Sequence, residues 1–238
     1  MTLPTDISAQ VDWRAFTDSE NLAQALAADV ATQLREAIAV RGSAVLALSG
    51  GNTPKRFLQQ LSQQPLAWDK VVVTLVDERW VPDTHERSNA RLLRQQLLQD
   101  AAAGARFIPL YRDLAEPEQA LAQLEAELPE LIDIAVLGMG NDGHTASFFP
   151  GGDHLPQALD PHTAARLLPM RADGAGEARI TLTLPALLAT TQLYLHIEGA
   201  QKQAVLQRAL SGDGDGAELP IRAVLAQAKA PVATYYCP

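Results

Sequence analysis

Short apolar runs alternate with amphipathic runs along nearly all of this 238-residue chain. The run at residues 44–49 is apolar at successive positions, so both of its faces avoid water, which is typical of a strand in a helix-covered parallel sheet. The segment at residues 19–40 instead places apolar residues at steps of four, the spacing of an amphipathic helix. This alternation predicts one α/β domain over residues 1–238, with a doubly wound, mainly parallel Rossmann-like sheet and helices on both faces.

The same patterns predict the remaining elements. Apolar and β-branched runs predict strands at 71–76, 107–110, 132–137, 179–184, 192–197 and 232–236. Helical periodicity predicts helices at 54–61, 88–100, 116–128, 200–210 and 220–227, and a short helix begins at 185–189. We predict that residues 150–176, rich in Gly, Pro, Asp and His, are mostly loop, and that residues 212–216 form a flexible surface linker.

Composition restricts the partners and the compartment. The formal net charge is −9, which makes the chain a poor general partner for nucleic acid or an anionic membrane. The single cysteine, Cys237, excludes an internal disulfide and indicates a reducing compartment. Residues 1–10 lack the basic and apolar regions of a signal peptide, and no apolar run approaches the roughly 20 residues of a membrane span. We expect a cytoplasmic protein that is a monomer or a weak homo-oligomer.

A glycine-rich segment at residues 138–147 follows the buried strand predicted at 132–137. Its glycines allow a tight turn and a close approach to a ligand, at the end of a strand where open α/β sheets place their chemistry. His144 is the candidate general base, because histidine is the residue type that exchanges protons near neutral pH. Asp142, two residues earlier, is the candidate group that orients its ring. The alternative is that His144 is a satisfied polar residue in a loop.

Two other interpretations of this region are less consistent with the sequence. The glycines match the G-x-G-x-x-G pattern of dinucleotide sites, but polar side chains crowd the turn where a pyrophosphate needs bare backbone. The acidic residue at a suitable distance, Asp160, lies in the predicted 150–176 loop rather than at a strand end. His154 and His162 follow His144, but they do not form a pair spaced i, i+4, so we predict no metal site. His196, in an apolar strand, is interpreted as a core residue.

The loop at residues 49–54 joins a buried strand to a helix start and favours an anion. Its glycine pair exposes backbone N–H groups, and the helix N-terminus adds positive potential. The candidate phosphate-binding residues are Ser49, Gly50, Gly51, Asn52 and Thr53, with Thr53 as the predicted N-cap. The loop lacks the Lys-Ser/Thr ending of a nucleotide P-loop, which argues for a simple phosphate monoester. A plain capped strand-to-helix turn remains the alternative.

Charged residues follow another strand end and open a later helix. Arg79, within residues 77–82, is suited to hold a carboxylate or to stabilise an oxyanion; the alternative is a surface cluster in which Arg79 pairs with Asp77 or Glu78. Lys202 lies in a first helical turn, where a cation is unfavourable unless an anion is present. Arg179 opens another predicted strand and is the second candidate cation. Solvated surface charge is the alternative for both.

Together these motifs resemble the 6-phosphogluconolactonase family, which is related to glucosamine-6-phosphate isomerase/deaminase. The resemblance covers about residues 10–236 and is carried by Ser-Gly-Gly-Asn-Thr-Pro (49–54), Asp-Glu-Arg-Trp-Val-Pro (77–82), Ser-Asn (88–89), Gly-Met-Gly-Asn-Asp-Gly-His-Thr-Ala-Ser (138–147), Arg-Ile-Thr-Leu-Thr (179–183) and Gly-Ala-Gln-Lys (199–202). It implies a Rossmann-like fold and the hydrolysis of 6-phospho-D-glucono-1,5-lactone to 6-phosphogluconate in the pentose phosphate pathway, with no cofactor.

The resemblance also implies roles for the candidate residues. The substrate phosphate would sit at the 49–53 loop with Lys202 and Arg179 closing over it, and Asp77 and Asn89 would be further substrate-binding residues. His144, oriented by Asp142, would deprotonate the attacking water, while Arg79 would stabilise the oxyanion or the emerging carboxylate. Ser147 and Cys237 need no special role, because no covalent nucleophile is required.

Two rival functions remain. The isomerase/deaminase activity uses a further acid after the histidine motif, and residues 145–150 contain no carboxylate. A sugar-phosphate-binding module without turnover has no need for a paired carboxylate and imidazole. It also commonly carries a DNA-binding segment, which the acidic N-terminal region does not resemble.

Overall fold

The computed structural model describes residues 5–238, so the first four residues of the 1–10 segment discussed above lie outside the described part of the chain. The strands are β1 (Val11–Ala15), β2 (Ala44–Leu48), β3 (Val71–Leu75), β4 (Asp77–Arg79), β5 (Arg106–Phe107), β6 (Ile134–Leu137), β7 (Leu167–Met170), β8 (Arg179–Leu182), β9 (Gln192–Glu198) and β10 (Val232–Cys237). The helices are α1 (Ser19–Arg41), α2 (Lys55–Ser62), α3 (Asn89–Gln96), α4 (Leu121–Glu127), α5 (Leu155–Ala158), α6 (Leu184–Leu188), α7 (Ala200–Ser211) and α8 (Pro220–Gln227).

Seven of the strands form a parallel sheet in the order β1-β10-β9-β6-β2-β3-β5. From β2 the chain proceeds through β3 to β5 at one edge, then returns to β6 and proceeds outward through β9 and β10. Because parallel crossovers are right-handed, connections that run in these opposite directions cover opposite faces of the sheet. The prediction of a doubly wound, mainly parallel α/β fold is therefore confirmed.

The order of the strands reverses between β2 and β6, which are hydrogen-bonded neighbours with Leu48 opposite Val136. Every residue of β6 is buried, as is the carboxyl end of β2, so polar groups can be accommodated only where these strands end. Ligands of open α/β sheets bind at such a reversal, beyond the carboxyl ends of the strands. The 49–54 loop and the 138–147 turn both begin at this point.

A second, antiparallel sheet of three strands in the order β4-β8-β7 was not predicted. Residues 179–184 do contain a strand, but it pairs with β4 and β7 rather than joining the parallel sheet. Residues 150–176 are mostly loop, as expected, except for the short helix Leu155–Ala158 and the strand Leu167–Met170, which is buried at all four positions. This strand was not predicted because it contains Pro169 and lies in a segment rich in glycine, and both residue types are more typical of loops.

Other differences concern element ends and edges. Strand β1 was missed because it is an edge strand with a mostly exposed side-chain pattern, and its backbone pairing with β10 carries no sequence signal. The helix predicted at 88–100 ends at Gln96, and the one predicted at 116–128 begins as a 3-10 turn at Pro117–Ala120 before α4. The strand predicted at 107–110 is reduced to Arg106–Phe107.

The segment at residues 212–216 lies mostly at the surface, as expected, but it is not irregular throughout. It leads into a 3-10 turn, Gly214–Glu218, in which Gly216 is buried against α7. A Cβ atom at Gly216 would lie 2.1 Å from the carbonyl oxygen of Arg208, so only glycine fits this contact. The Arg208 guanidinium also pairs with Asp215 at 3.0 Å. The glycines therefore permit close packing here.

Candidate active site

A cleft with a cavity volume of about 340 Å³ opens at the carboxyl edge of the parallel sheet. Parallel strands bring the segments that follow β2, β3, β6 and β9 to this same edge, although they are far apart in the sequence. All but one of the predicted site residues line the cleft: Ser49, Gly50, Gly51, Asn52, Thr53, Asp77, Arg79, Asn89, His144, Arg179 and Lys202. The remaining one, Asp142, contacts His144 directly.

The His144 imidazole is held from one side by a carboxylate. Its Nδ1 lies 2.5 Å from Oδ1 of Asp142, and the same oxygen accepts a hydrogen bond from the His144 backbone N–H at 3.2 Å. Burial alone would raise the pKa of Asp142, but the hydrogen bonds and charge of His144 keep it below its ordinary value. An ionised Asp142 accepts the Nδ1 proton, so the neutral ring carries its lone pair on Nε2. The ring of His144 lines the cleft with Nδ1 engaged by the carboxylate, which is the arrangement that the general-base hypothesis requires.

Gly140 makes room for the imidazole ring. A Cβ atom at this position would lie 2.3 Å from both Cε1 and Nδ1 of His144 and 2.5 Å from Oδ1 of Asp142. The turn is closed by backbone hydrogen bonds between Gly140 and His144 (2.9 Å) and between Gly143 and Gly140 (3.1 Å). The lack of a side chain at Gly140 therefore allows the His144 ring to pack against the turn.

Phe149 connects the histidine to one of the candidate cations. Its ring centroid lies 4.3 Å from that of His144, and the Arg179 guanidinium lies 5.1 Å from the same ring. Phe149 is 3% exposed and therefore fixes the relative positions of the imidazole and the guanidinium. Phe149 is not among the residues predicted from the sequence, because an aromatic residue after a loop has no signal that separates it from a core residue.

The 49–54 loop is tied to two other loops of the cleft. Ser49 Oγ accepts a hydrogen bond from the backbone N–H of Gly138 at 3.1 Å, and Thr53 Oγ1 accepts one from Lys202 Nζ at 3.2 Å. The prediction that Thr53 is a helix N-cap is wrong: α2 begins at Lys55 after Pro54, with no side-chain cap. The hydroxyl of Thr53 is therefore engaged by the lysine across the cleft.

Lys202 lies in the first turn of α7 and is partly buried. Burial lowers the pKa of Lys202, and the charge of Glu198 acts in the opposite direction. A desolvated ammonium at a helix N-terminus is unfavourable without an anion. This position favours a site for an anion over solvated surface charge.

Arg79 does not form the surface ion pair that the alternative interpretation required. Its Nη1 donates to the backbone carbonyl of Arg87 at 2.5 Å, and its Nε is buried without a partner among residues 5–238. The carboxylates of Asp77 and Glu78 are buried and engaged elsewhere. The Arg79 side chain thus lines the cleft with its charge unneutralised by an adjacent carboxylate.

Glu78 fixes the start of α3 beside the cleft. One of its oxygens accepts from the backbone N–H groups of Arg79 and Asn89 at 2.7 and 2.8 Å, and the other accepts from Ala90 N–H at 2.7 Å and from Ser88 Oγ at 3.2 Å. Burial raises the pKa of Glu78 to about 7 although these hydrogen bonds act in the opposite direction. Glu78 therefore acts on the cleft through Arg79 and Asn89, which it holds in place.

Asp77 and Arg179 form a buried pair in the cleft wall. Arg179 Nη1 lies 3.8 Å from Asp77 Oδ2, and Ser147 Oγ donates to that oxygen at 2.6 Å. Asn89 Nδ2 donates to the Asp77 carbonyl at 2.9 Å. Burial lowers the pKa of Arg179, opposed by the charge of Asp77. Ser147, expected to have no special role, thus orients a carboxylate of the cleft.

Two further cleft residues were missed or interpreted differently. Arg87 lines the cleft and pairs with Glu177 at 2.8 Å, but it lies in a run of exposed polar residues that gave it no distinguishing signal. His196 is 2% exposed, as expected for a core residue, but it also lines the cleft, with Nε2 2.9 Å from Glu198.

The described part of the chain contains no group of three or more His, Cys, Asp or Glu side chains arranged to hold a metal ion. His154, which the metal interpretation would have used, lies 3.1 Å from Asp153 instead. Within residues 5–238, no helix combines the length and the apolar character that crossing a bilayer requires.

Comparisons with known proteins agree on one family. The model of the family described as "Glucosamine-6-phosphate isomerases/6-phosphogluconolactonase" matches residues 17–233. A 6-phosphogluconolactonase of Rhizobium meliloti is 52% identical over 226 residues, covering 94% of this chain and 97% of that protein. One of Pseudomonas aeruginosa is 43% identical over 241 residues, covering 100% of this chain and 98% of its own length.

The fold has a close counterpart among solved structures. The crystal structure of a 6-phosphogluconolactonase from Shewanella baltica superposes with a TM-score of 0.91 at 41% sequence identity, covering 98% of this chain and 100% of that one.

Proposed function

The chain belongs to the glucosamine-6-phosphate isomerase/6-phosphogluconolactonase family, and we propose that its cleft hydrolyses 6-phospho-D-glucono-1,5-lactone to 6-phospho-D-gluconate, with His144 as the general base. The relatives named 6-phosphogluconolactonase match this chain over almost its whole length, which supports the lactone as substrate. The reaction belongs to the pentose phosphate pathway. We further propose that the protein acts in the cytoplasm.

The proposal rests on the presence, in one cleft, of cationic and polar groups that suit a phosphate and of a carboxylate–imidazole pair that can act as a base. Lys202 and Thr53 form a contact that suits a phosphate, and the Asp142–His144 pair lines the same cleft. A phosphorylated sugar lactone has an anionic group at one end and a reactive ester at the other. A cavity of about 340 Å³ is of the size that small-molecule sites occupy.

The reaction needs a general base, a group that stabilises the oxyanion, and a general acid that protonates the leaving ring oxygen. His144 Nε2 removes a proton from water, and the resulting hydroxide adds to the lactone carbonyl carbon. Arg79 stabilises the negative charge on the carbonyl oxygen. The bond to the ring oxygen then breaks, the imidazolium returns its proton to that oxygen, and the products are a carboxylic acid and a free hydroxyl. The acid then releases its proton to the solvent and becomes the carboxylate. Asp142 stays ionised and stabilises the transient imidazolium.

The demand on these groups is modest because a δ-lactone already hydrolyses slowly in water. A positioned base contributes about 10²–10⁴-fold and an oxyanion donor about 10²–10³-fold to such a reaction. These contributions need neither a covalent nucleophile nor a cofactor. Asp77, Asn89 and Arg179, which line the same cleft, bind and orient the substrate.

The isomerase/deaminase alternative lacks a group in this cleft. Moving protons along a sugar carbon chain requires a further free acid near the histidine. Among the described residues that line the cleft, Asp77 is the sole carboxylate, and Ser147 and Arg179 engage it. Residues 145–150 add none.

A coupled assay with freshly generated 6-phosphogluconolactone tests the proposal. We expect 6-phosphogluconate to form well above the spontaneous rate, and no turnover of glucosamine 6-phosphate supplied in parallel. Turnover of glucosamine 6-phosphate without acceleration of lactone hydrolysis would reverse the assignment. Binding of both sugars without turnover would indicate a non-catalytic module.

A further inference from the structure

A second cavity of about 370 Å³ adjoins the active-site cleft. The two share a wall made of Gly51, Asn52, Arg79, Arg87 and Asn89. On its far side the second cavity, here called the side cleft, is lined by the start of α2 and by α3. Nothing in the proposed hydrolysis requires this space.

The side cleft is strongly cationic in an acidic protein. Its lining includes Lys55, Arg79, Arg87 and Arg91, against a single carboxylate, Glu86. The whole chain has a formal net charge of −9. Four cations around one cavity therefore give this part of the surface a charge opposite in sign to that of the whole chain. Like charges that lie close together repel each other unless a bound anion neutralises them.

Most of these cations have no neighbouring carboxylate. Arg79 and Arg91 donate to backbone carbonyls, those of Arg87 and Thr84, which leaves their charges uncompensated. The Lys55 ammonium has no hydrogen-bond or ion-pair partner among residues 5–238. Only Arg87 has an ion pair, with Glu177 at 2.8 Å.

The helix N-terminus at the side cleft does not supply the anion site. The first N–H groups of α3 are already taken, because Glu78 accepts from Asn89 and Ala90 and Ser88 Oγ accepts from Arg91 at 3.2 Å. The side-chain cations must therefore hold the ligand. The buried Nε of Arg79, which has no partner in the described chain, is an additional donor in the shared wall.

We propose that the side cleft is a second anion-binding site, which takes a phosphate dianion on Lys55 and Arg91 with help from Arg79 and Arg87. Lys55 and Arg91 line the side cleft but not the active-site cleft, so they distinguish the two sites. The ligand is either inorganic phosphate or the phosphate of a small monoester, since both present the same oxygens. The inference goes beyond the lactone hydrolysis and does not depend on it.

The test measures binding of inorganic phosphate, and of glycerol 2-phosphate as a monoester, by isothermal titration calorimetry at constant ionic strength. For the probe that wild type binds more tightly, the double variant Lys55→Gln/Arg91→Gln should have a dissociation constant about tenfold higher than that of wild type, or should bind one fewer equivalent of the probe per chain. The matched control is Arg56→Gln/Arg94→Gln, on the same two helices. Those arginines pair with Glu20 and Asp83 and do not line the side cleft, so this control should bind like wild type.

Equal weakening in both double variants would show a general charge effect and overturn the proposal, as would wild-type affinity and stoichiometry in Lys55→Gln/Arg91→Gln. Lactone hydrolysis without added phosphate serves as the check on folding. Because Lys55 and Arg91 lie outside the active-site cleft, we expect kcat to remain at the wild-type value in both variants. The relative affinity of the two probes identifies the source of the phosphate.

Discussion

His144 Nδ1 lies 2.5 Å from Asp142 Oδ1, and the two residues are separated by one glycine at the tip of the turn that follows β6. The pair is local in sequence, so the turn itself sets the orientation of the ring. His144 lines the same cleft as the 49–54 loop, which is the proposed phosphate site.

Replacing His144 removes the base and leaves the anion site intact. In His144→Ala we expect kcat to fall by about 10²–10⁴-fold while KM changes little. The measurement is steady-state hydrolysis of fresh lactone, together with binding of 6-phosphogluconate. His162→Ala is the control, because His162 lies outside the cleft. Wild-type rates in His144→Ala would remove this residue from the mechanism.

A methyl group at Gly140 should displace the imidazole. In Gly140→Ala the new Cβ would lie 2.3 Å from ring atoms of His144, so we expect a loss of kcat approaching that of His144→Ala. Gly174→Ala is a matched control, because Gly174 also lines the cleft and a Cβ there meets nothing within 4 Å. Equal activities of the two variants would contradict the packing argument. A thermal melt checks that Gly140→Ala remains folded.

Lys202 should act in binding rather than in the chemical step. In Lys202→Ala we expect KM to rise more than kcat falls, because the phosphate loses a cation in both the ground state and the transition state. Lys229→Ala, an exposed lysine remote from the cleft, is the control. An unchanged KM in Lys202→Ala would place the phosphate elsewhere.

The buried carboxyl group of Glu78 should make the free energy of unfolding decrease as the pH rises. Burial raises its pKa from 4.5 to about 7, so between these values the folded protein retains a proton that the unfolded chain has lost. Stability contributed by this group is therefore complete below pH 4.5 and falls as the pH rises to about 7. The loss amounts to about 3 kcal/mol.

Urea unfolding of wild type and Glu78→Gln at several pH values isolates this contribution. The difference in unfolding free energy should shift in favour of the variant as the pH rises from 4.5 to 7, and then level off. Glu86→Gln removes an exposed neighbouring carboxylate and should show no such slope. A difference between wild type and Glu78→Gln that is constant with pH would contradict the buried titration.

Sequence patterns determined the parts of this protein that depend on local spacing. The α1 periodicity, the doubly apolar β2 and the turn that places Asp142 two residues before His144 are all properties of contiguous segments. The parallel sheet follows from these elements, because apolar strands separated by helices have few other ways to bury both faces. Local patterns also singled out His144, Asp142, Arg79, Lys202, Arg179 and the 49–53 loop, whereas Asn89 and the binding role of Asp77 came from the family resemblance.

Only the tertiary structure decided which distant groups meet. The Lys202–Thr53 contact joins residues 149 positions apart, and Ser147 meets Asp77 across 70 positions. The antiparallel sheet that carries Arg79 and Arg179, the Phe149 ring between His144 and Arg179, and the side cleft have no local sequence signal. The physical reason is that burial and charge pairing act between surfaces that exist only after the strands have assembled, whereas periodicity acts within one element.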